Sequence, residues 1–534
     1  MTTVNTSAFP FARAPEEVGV SSQKMREMLA EMKQTQCHGV MVIRHGKIAA
    51  QWFRTPYCAT EPHAMYSVSK SISALAIGFA LKEGLLSLDD KPVDFFPESV
   101  PKHCDENLKN VTLRHLITMT AGRSISPMTS KVKNQWIDIF MQSGSSFAPG
   151  ESFSYVNECF HMALAMLRGV TGVSTVDFLM PRLFAPLGIQ RPYWETDHNG
   201  VEAGGWGIVL TPEDLAKIAV CFLHDGVWDD KQVIPADWIA ESCVNRKGPK
   251  AKVYHNQNFG YGYGLWIRAH ETFPVRFDGL FGQVAEIYKA YDAVTVIVGG
   301  DIDVAHRDVI FKYFPESFVD EQSDCEPNEF SEPLVDGQYA PIFAKLRSPL
   351  ERSIEGKRIT FKKNRLLNLL HFQLSVLPAA ATFMSRDKAG NITDVSFAFS
   401  SNDVRFSWRE GDETNSIDCG LDGQWRRSPM TLAGAPFTAF ASAAWQDTHT
   451  LKLVIRPQEC VCARILTFTF SGNKVHMNPE SDPPIDAILN GVRGLLKAFI
   501  KNEKTRDSIL EWGKRHVEPV HKGRFAKDGR EATS

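Results

Sequence analysis

The stretch YSVSKS, residues 66–71, decides how the rest of the sequence is interpreted. It stands at the start of a helix-like apolar pattern that runs from about Ser69 to Leu85. Side chains three residues apart share a helix face, so Ser67 and Lys70 are predicted to be neighbours in the first turn. A neutral lysine there can accept the serine proton, and the helix N-terminus stabilises negative charge that develops on an attacked carbonyl.

The Ser-x-x-Lys spacing is weak evidence by itself. It recurs at serines 21, 99, 130, 385 and 471, where a surface serine and a surface lysine are the simpler interpretation. Ser67 is distinguished by the stretches that accompany it in chain order: PEEVG (15–19), VTLRHLITMTAG (111–122), PGESFSYVN (149–157), LFAPLGI (183–189) and GGWGI (204–208).

Taken in order, these stretches resemble the serine β-lactamase and penicillin-binding-protein superfamily over roughly residues 15–305. The resemblance is strongest to the class C-like branch, which includes esterases, D-amino-acid peptidases and 6-aminohexanoate-dimer hydrolases. It implies that Ser67 is the nucleophile and that Lys70 and Tyr155 act as general acid and base. It also implies that Asn157 orients Lys70 and holds the substrate carbonyl or amide.

The implied chemistry requires perturbed pKa values. Free lysine and tyrosine have pKa values of about 10.4 and 10, so action near neutrality requires shifts of roughly two to three units. Burial lowers the pKa of a lysine, and contact between Lys70 and Tyr155 would favour a deprotonated phenol. We therefore expect a dry cleft that holds both side chains. A second Tyr-x-Asn, at residues 254–256, lacks the matching flanks and is interpreted as a loop.

The third motif departs from the family pattern. The family has Lys-x-Gly or His-x-Gly, and in RFDGLFGQ (276–283) Phe277 takes the place of the basic residue. Phenylalanine cannot hold a substrate carboxylate, so neutral or amine-bearing substrates are expected to fit better. Asp278 adds negative charge, although strand alternation can turn it from the cleft. Gly279 would permit close backbone approach, and the N–H groups of Ser67 and Leu280 would form the oxyanion hole.

The predicted fold class is α/β (α+β): a β-lactamase-like domain with an antiparallel sheet flanked by helices, followed by an antiparallel, lipocalin-like β-barrel. The expected limits are 1–320 for the hydrolase domain, 321–350 for a linker, 351–480 for the barrel and 481–534 for a helix and tail. The linker is rich in proline, serine and acidic residues, and the barrel prediction depends on regularly spaced short strand patterns.

Composition excludes several classes of protein. The 534 residues are 23% charged and 43% hydrophobic with a net charge of −3, which does not indicate a nucleic-acid binder. No apolar run approaches the ~20 residues of a membrane span, and no secretory signal is visible. The ten cysteines are scattered without a Cys-x-x-Cys pair, so we expect reduced thiols in a cytoplasmic protein.

The sequence therefore predicts a serine hydrolase that cleaves esters or amides through an acyl-enzyme on Ser67, and not a true β-lactamase. No metal or organic cofactor is implied. The expected partner is a small ester, amide or short peptide, and a homo-oligomer is possible. Three alternatives stay open: an acyltransferase of the same fold, a penicilloyl-binding or sensor protein without turnover, and a binding module centred on the barrel.

Overall fold

The computed structural model describes residues 8–123, 136–246, 259–268, 275–301, 305–323, 327–330, 339–362, 376–377, 392–432, 434–484, 486 and 502–526. The chain divides into two compact units. The first comprises Met1–Phe53 and Cys58–Leu334, and the second comprises Arg54–Tyr57 and Val335–Ser534. The change of unit after Leu334 falls within the stretch predicted as a linker.

The first unit is a mixed helical and strand unit. Its α-helices are α1 (Ser22–Met32), α2 (Val68–Lys82), α3 (Pro92–Phe95), α4 (Glu106–Lys109), α5 (Leu113–Ile117), α6 (Trp136–Gln142), α7 (Asn157–Thr171), α8 (Thr175–Leu179), α9 (Pro212–Leu223), α10 (Ala236–Ser242) and α11 (Ala305–Tyr313). Its strands are β1 (Cys37–Arg44), β2 (Lys47–Phe53), β3 (His63–Ala64), β4 (Tyr193–Trp194), β5 (Ile208–Leu210), β6 (Val227–Trp228), β7 (Lys231–Gln232), β8 (Phe259–Tyr261), β9 (Trp266–Arg268), β10 (Val275–Gly279), β11 (Gln283–Tyr288) and β12 (Ala293–Gly299).

Seven of these strands form one antiparallel sheet in the order β2-β1-β12-β11-β10-β9-β8. Val284 and Ile297 face one another across β11 and β12 and share a buried core with Met28 of α1. The next residue pair along these strands points to the opposite face. On that face Phe277, which pairs with Ala285, contacts Phe222 of α9. Helices therefore cover both faces of the sheet, as the sequence predicted.

The second unit contains the helices α12 (Glu351–Ile354) and α13 (Glu503–Val517). Its strands are β13 (Ile359–Phe361), β14 (Ile392–Phe399), β15 (Asp403–Glu410), β16 (Glu413–Gly420), β17 (Arg426–Leu432), β18 (Ala435–Trp445), β19 (Thr450–Pro457), β20 (Ala463–Ser471), β21 (Lys474–Asp482) and β22 (His521–Phe525).

These strands form a closed barrel whose neighbours are antiparallel except for the parallel contact of β16 with β18, and this confirms the predicted barrel. Pairing of Gly420 with Ser442 joins β16 to β18 and closes a ring of nine strands, and β17 adds to β18 as a tenth. Stacked and edge-on aromatic rings fill part of the interior: Phe397, Phe406, Trp408, Phe468 and Phe470.

The C-terminal part of the chain differs from its predicted organisation. The sequence assigned residues 481–534 to a helix and tail, yet β22 pairs with both β13 and β21 and so belongs to the barrel. The sequence pattern does not predict this strand, because His521–Phe525 is short and contains two exposed charged residues, Lys522 and Arg524. Of the helix predicted within 481–534, the structure describes α13, and residues 487–501 lie outside the described residues.

Membrane-span criteria of length and apolar composition are met by no single helix in the described part of the chain. One helix pair, Asn157–Thr171 with Thr175–Phe184, meets them jointly across a 73° bend.

Candidate active site

The proposed nucleophile lies at the start of α2. Ser67 is the N-cap residue of the helix, and Lys70 follows in the first turn with its amide bonded to the Ser67 carbonyl. The side chains meet as the spacing predicted: Lys70 Nζ lies 2.8 Å from Ser67 Oγ. Tyr66, directly before the serine, has a φ of 46°, a left-handed conformation that non-glycine residues rarely adopt. The chain therefore makes a sharp entry into the helix at Ser67.

Lys70 is held by three acceptors in a buried site. Its amine contacts Ser67 Oγ at 2.8 Å, Asn157 Oδ1 at 2.7 Å and the Gly205 carbonyl at 2.6 Å, and the residue is 1% exposed. An ammonium can donate to all three. In the neutral amine, two N–H groups can satisfy Asn157 and Gly205. The lone pair then faces Ser67, whose hydroxyl becomes the donor.

Electrostatics favour this neutral form near neutrality. Burial lowers the pKa of Lys70 to about 7, and the charges of Glu158, Cys159 and Asp278 oppose the shift. The cause is that an ammonium loses more hydration free energy in a dry site than an amine does. The proposed chemistry requires the pKa of Lys70 to be lowered, and burial lowers it.

Tyr155 adjoins the same pair of side chains. Lys70 Nζ lies 4.6 Å from the centre of its ring, and the neighbouring Ser67 hydroxyl acts to lower the pKa of the phenol. Burial raises the pKa of Tyr155, so the phenol stays protonated at neutral pH. The expectation of a deprotonated phenol is therefore wrong, because desolvation outweighs the lowering effect of Ser67 on the pKa. The ring stacks on Trp266 at 5.6 Å, and Tyr261 packs edge-on at 6.1 Å.

Three further serines of α2 hold the helix in place. Ser69 Oγ donates to the Tyr66 carbonyl at 2.6 Å and accepts from the Ile208 amide at 3.1 Å. Ser71 Oγ donates to the Gly264 carbonyl at 2.7 Å, and Ser73 Oγ donates to the Gly204 carbonyl at 2.9 Å. Each hydroxyl is buried and bonded to backbone, which stabilises a helix that is buried on every side. Of the four serines at residues 67, 69, 71 and 73, Ser67 is the one whose hydroxyl contacts the Lys70 amine.

The segment GGWGI brings backbone close to α7. A Cβ on Gly205 would lie 2.7 Å from the Asn157 carbonyl oxygen, closer than real Cβ atoms come to neighbouring atoms. Glycine is therefore needed where this loop passes α7 and presents its carbonyl to Lys70. Trp206, next in the chain, is buried, packs at a tilt against Trp136 with ring centres 5.0 Å apart, and donates to Glu195 at 3.2 Å.

One titratable residue of the site was missed by sequence reasoning. Glu158 follows Asn157 on α7, is 2% exposed, and its Oε1 has no hydrogen-bond partner among the described residues. Burial raises its pKa to about 7, while the charge of Lys70 lowers it. An acidic residue next to the Tyr-x-Asn motif was the available signal. The motif itself, however, assigns no role to that position.

The third-motif strand separates two environments. Phe277 is 1% exposed and its ring contacts Phe222 at 5.4 Å, so an uncharged core contact fills the position of the family's basic residue. Asp278 pairs with Arg276 Nη2 at 2.8 Å and with Arg307 Nη1 at 3.3 Å. Alternation thus turns Asp278 toward α11, away from the face that carries Phe277.

The residues expected to form the oxyanion hole adjoin α2. A Cβ on Gly279 would lie 2.3 Å from the Met65 carbonyl oxygen, so only glycine lets β10 pass this close to the segment before Ser67. Leu280 follows at the end of the strand and its side chain is 39% exposed. The Tyr-x-Asn at 254–256 lies outside the described residues. Within the described ranges, no group of three or more His, Cys, Asp or Glu side chains could hold a metal ion.

Comparison with known proteins agrees with this arrangement. A family model described as Beta-lactamase matches residues 23–299, just over half of the 534-residue chain. The chain belongs to the beta-lactamase family, which confirms the resemblance drawn from the ordered motifs.

Individual relatives are distant. The chain is 20% identical to the 6-aminohexanoate-dimer hydrolase of Paenarthrobacter ureafaciens, over 53% of this chain and 78% of that protein. It is 24% identical to the Beta-lactamase of Escherichia coli (strain K12), over 40% of this chain and 63% of that protein. The structure of the octameric penicillin-binding protein homologue from Pyrococcus abyssi superposes with a TM-score of 0.43 at 15% identity, over 85% of this chain and 97% of that chain.

Gly205→Ala tests the close packing that presents a carbonyl to Lys70. We expect it to lower the free energy of unfolding by about 1–3 kcal/mol, because the added Cβ must displace Asn157 backbone. Chemical denaturation of the folded protein measures the effect. Gly144→Ala is the matched control, since a Cβ there meets no atom within 4 Å. Equal stability of the two variants would contradict the prediction.

Proposed function

We propose that this protein is a serine hydrolase that cleaves ester or amide bonds through an acyl-enzyme on Ser67. The observation that carries the proposal is the contact of the buried Lys70 amine with Ser67 Oγ at 2.8 Å. A serine hydroxyl is a weak nucleophile until a neighbouring base accepts its proton. Burial lowers the pKa of Lys70 to about 7, so the base is available at neutral pH.

In the proposed acylation step, Ser67 Oγ forms a bond to the substrate carbonyl carbon and its proton passes to Lys70 Nζ. The negative charge that develops on the carbonyl oxygen is stabilised by the backbone N–H groups of Ser67 and Leu280. The bond to the leaving alcohol or amine then breaks, and the leaving group takes a proton from the Tyr155 hydroxyl. Lys70 returns a proton to the phenolate.

Deacylation repeats this sequence with water in place of Ser67. The amine of Lys70 accepts a proton from the attacking water, and the acyl–Oγ bond breaks. As the leaving group of this step, Ser67 Oγ takes a proton from the Tyr155 hydroxyl, and Lys70 returns a proton to the phenolate. Asn157 accepts from the lysine throughout and so keeps the amine directed at the reacting oxygen. Tyr155 is suited to the acid role because its raised pKa keeps the hydroxyl protonated and its ring lies 4.6 Å from Lys70 Nζ.

The substrate class follows from charge. β10 offers Phe277 where family members that process β-lactams have a cation, and the nearby Arg276 is engaged by Asp278. A substrate carboxylate would therefore lose its hydration without gaining an ion pair. Neutral or amine-bearing esters and amides are the favoured substrates.

Acyl transfer is the second candidate, because the same acyl-enzyme can be released by an alcohol or an amine instead of water. Addition of an amine or alcohol acceptor during turnover, with both products quantified, separates the two outcomes. A penicilloyl-binding or sensor role without turnover is less favoured, because Phe277 offers no cation to the carboxylate that a penicilloyl group carries.

Replacement of Ser67 tests the nucleophile. We expect Ser67→Ala to abolish fluorophosphonate labelling, measured by intact-protein mass spectrometry, together with turnover of p-nitrophenyl butyrate. Ser71→Ala is the matched control from the same helix; it loses one bond to the Gly264 carbonyl, worth about 1 kcal/mol, and should still label. Labelling that persists in Ser67→Ala would show that another residue is the nucleophile.

The pH dependence tests the base. Protonated Lys70 cannot accept a proton, so kcat/KM should fall as the pH decreases through about 7. The groups charged around the amine include Glu158 and Asp278, and both raise the pKa of Lys70. Removal of the Glu158 charge in Glu158→Gln should therefore move the acid limb to lower pH. An unchanged or raised limb in that variant would exclude this coupling.

Substrate charge gives a third test. The carboxylate-bearing cephalosporin nitrocefin should be hydrolysed with a kcat/KM roughly 10- to 150-fold below that of p-nitrophenyl butyrate. The reason is the missing cation opposite the substrate carboxylate, since a charge-assisted bond contributes about 1.5–3 kcal/mol. Comparable kcat/KM values for the two substrates would refute the assignment of substrate class.

A further inference from the structure

The turn that follows β10 carries one of the proposed oxyanion donors. This segment, Gly279–Gly282, is here called the oxyanion turn. Phe281 within it has a φ of 62° although it is not a glycine, and Gly282 has a φ of 80°. A non-glycine residue in this region is strained and persists only where its surroundings hold it. Neighbouring groups must therefore hold the oxyanion turn in this conformation.

The side chain of Gln283 links the turn to the neighbouring strand. Its Nε2 donates to the Leu280 carbonyl at 3.2 Å and to the Gly299 carbonyl at 2.6 Å. Its Oε1 accepts from the Gly299 amide at 3.1 Å, and the residue is 0% exposed. One amide thus satisfies both backbone groups of Gly299 on β12 and, with its remaining N–H, binds the residue that carries the proposed oxyanion donor.

His306 of α11 holds the other end of the turn. Its Nε2 lies 3.0 Å from the Gly282 carbonyl oxygen, and because a carbonyl can only accept, this nitrogen carries the proton. A Cβ on Gly282 would lie 1.8 Å from the same nitrogen, so the ring fits only against a glycine. His306 is itself 0% exposed.

A ring contact joins the turn to the start of α2. Tyr66 and Phe281 pack edge to face with ring centres 5.1 Å apart, and both have left-handed φ values. Tyr66 directly precedes Ser67, and Phe281 directly follows Leu280. The two residues that carry the proposed oxyanion donors are therefore each adjacent to a strained residue, and those strained residues contact one another.

We propose that Gln283 is a positioning residue for catalysis, which fixes the Leu280 N–H in line with that of Ser67 through its bonds to Leu280 and Gly299. The inference rests on the proposed hydrolase function. It assigns Gln283 a role through the backbone, since the side chain faces the sheet and touches no substrate. His306 supports the same turn from its other end.

Preorganisation is the physical reason. Oxyanion donors are effective because they already point at the position where charge will develop, and loss of one donor costs roughly 10²–10³ in kcat. A donor that is displaced and not removed should cost less. We expect roughly a tenfold to hundredfold loss of kcat when the bonds of Gln283 are changed. KM should stay within about threefold, because substrate binding before reaction does not use the charged oxygen.

The test compares Gln283→Glu with Asn328→Asp. The first keeps the side-chain shape but replaces the Nε2 donors, so oxygens face the carbonyls of Leu280 and Gly299. Asn328 is the matched control: its Nδ2 donates to the Ala12 and Ala49 carbonyls at 3.0 Å each, and its Oδ1 accepts from Phe330 at 2.9 Å. It makes the same three kinds of bond at a distant sheet edge near β2. Each variant is assayed with p-nitrophenyl butyrate, with active sites counted by fluorophosphonate labelling.

The expected result is a lower kcat for Gln283→Glu at nearly unchanged KM, with weaker inhibition by an alkyl boronic acid, whose tetrahedral adduct mimics the intermediate. Asn328→Asp should lose stability with kcat per labelled site unchanged. Equal kcat values in the two variants, beside normal wild-type turnover, would overturn this inference alone. Absence of Ser67-dependent turnover in the wild type would overturn the proposed function and the inference with it. If Gln283→Glu does not fold, His306→Leu must give the same split between kcat and KM, and failure to do so overturns the inference.

Discussion

The proposed chemistry depends on one physical constraint, the burial of the Lys70 amine among the three acceptors Ser67, Asn157 and Gly205. Burial lowers the pKa of Lys70 to about 7, and the three contacts direct the amine at the serine hydroxyl. Each acceptor belongs to a different segment of the chain. The site therefore exists only if α2, the start of α7 and the loop that precedes β5 meet with atomic accuracy.

The rest of the first unit brings these three segments together. The serines of α2 attach a helix that is buried on all sides to surrounding backbone, and Gly205 and Gly279 allow backbone to approach where a side chain would prevent it. Aromatic rings from β8 and β9 pack against Tyr155 and exclude water. Burial has opposite effects on the two protonation states: it allows the Lys70 amine to be unprotonated near neutral pH and keeps the Tyr155 hydroxyl protonated. Burial alone therefore favours a base at Lys70 and an acid at Tyr155.

The departure at Phe277 has a comparable logic. A core contact with Phe222 occupies the position of a cation, while the polar side chains of the strand, Arg276 and Asp278, pair with one another on the other face. The cleft loses a positive charge without an unpaired charge being buried. We interpret this as a change of substrate preference that leaves the Ser67, Lys70 and Tyr155 machinery unaltered.

The sequence by itself determined the family, the antiparallel sheet with its helices, the barrel strands from Ile392 to Phe470, and the pairing of Ser67 with Lys70. These depend on periodicity, on ordered motifs and on i, i+3 geometry, all of which are local along the chain. Only the tertiary structure decided the protonation of Tyr155, the presence of Glu158 beside the lysine, the contacts of Gln283 and His306 with the oxyanion turn, and the place of β22 in the barrel. The reason is that these features depend on contacts between segments that are distant in the chain. A pKa, a buried carboxyl group and a strand pairing cannot be deduced from residue spacing within one segment.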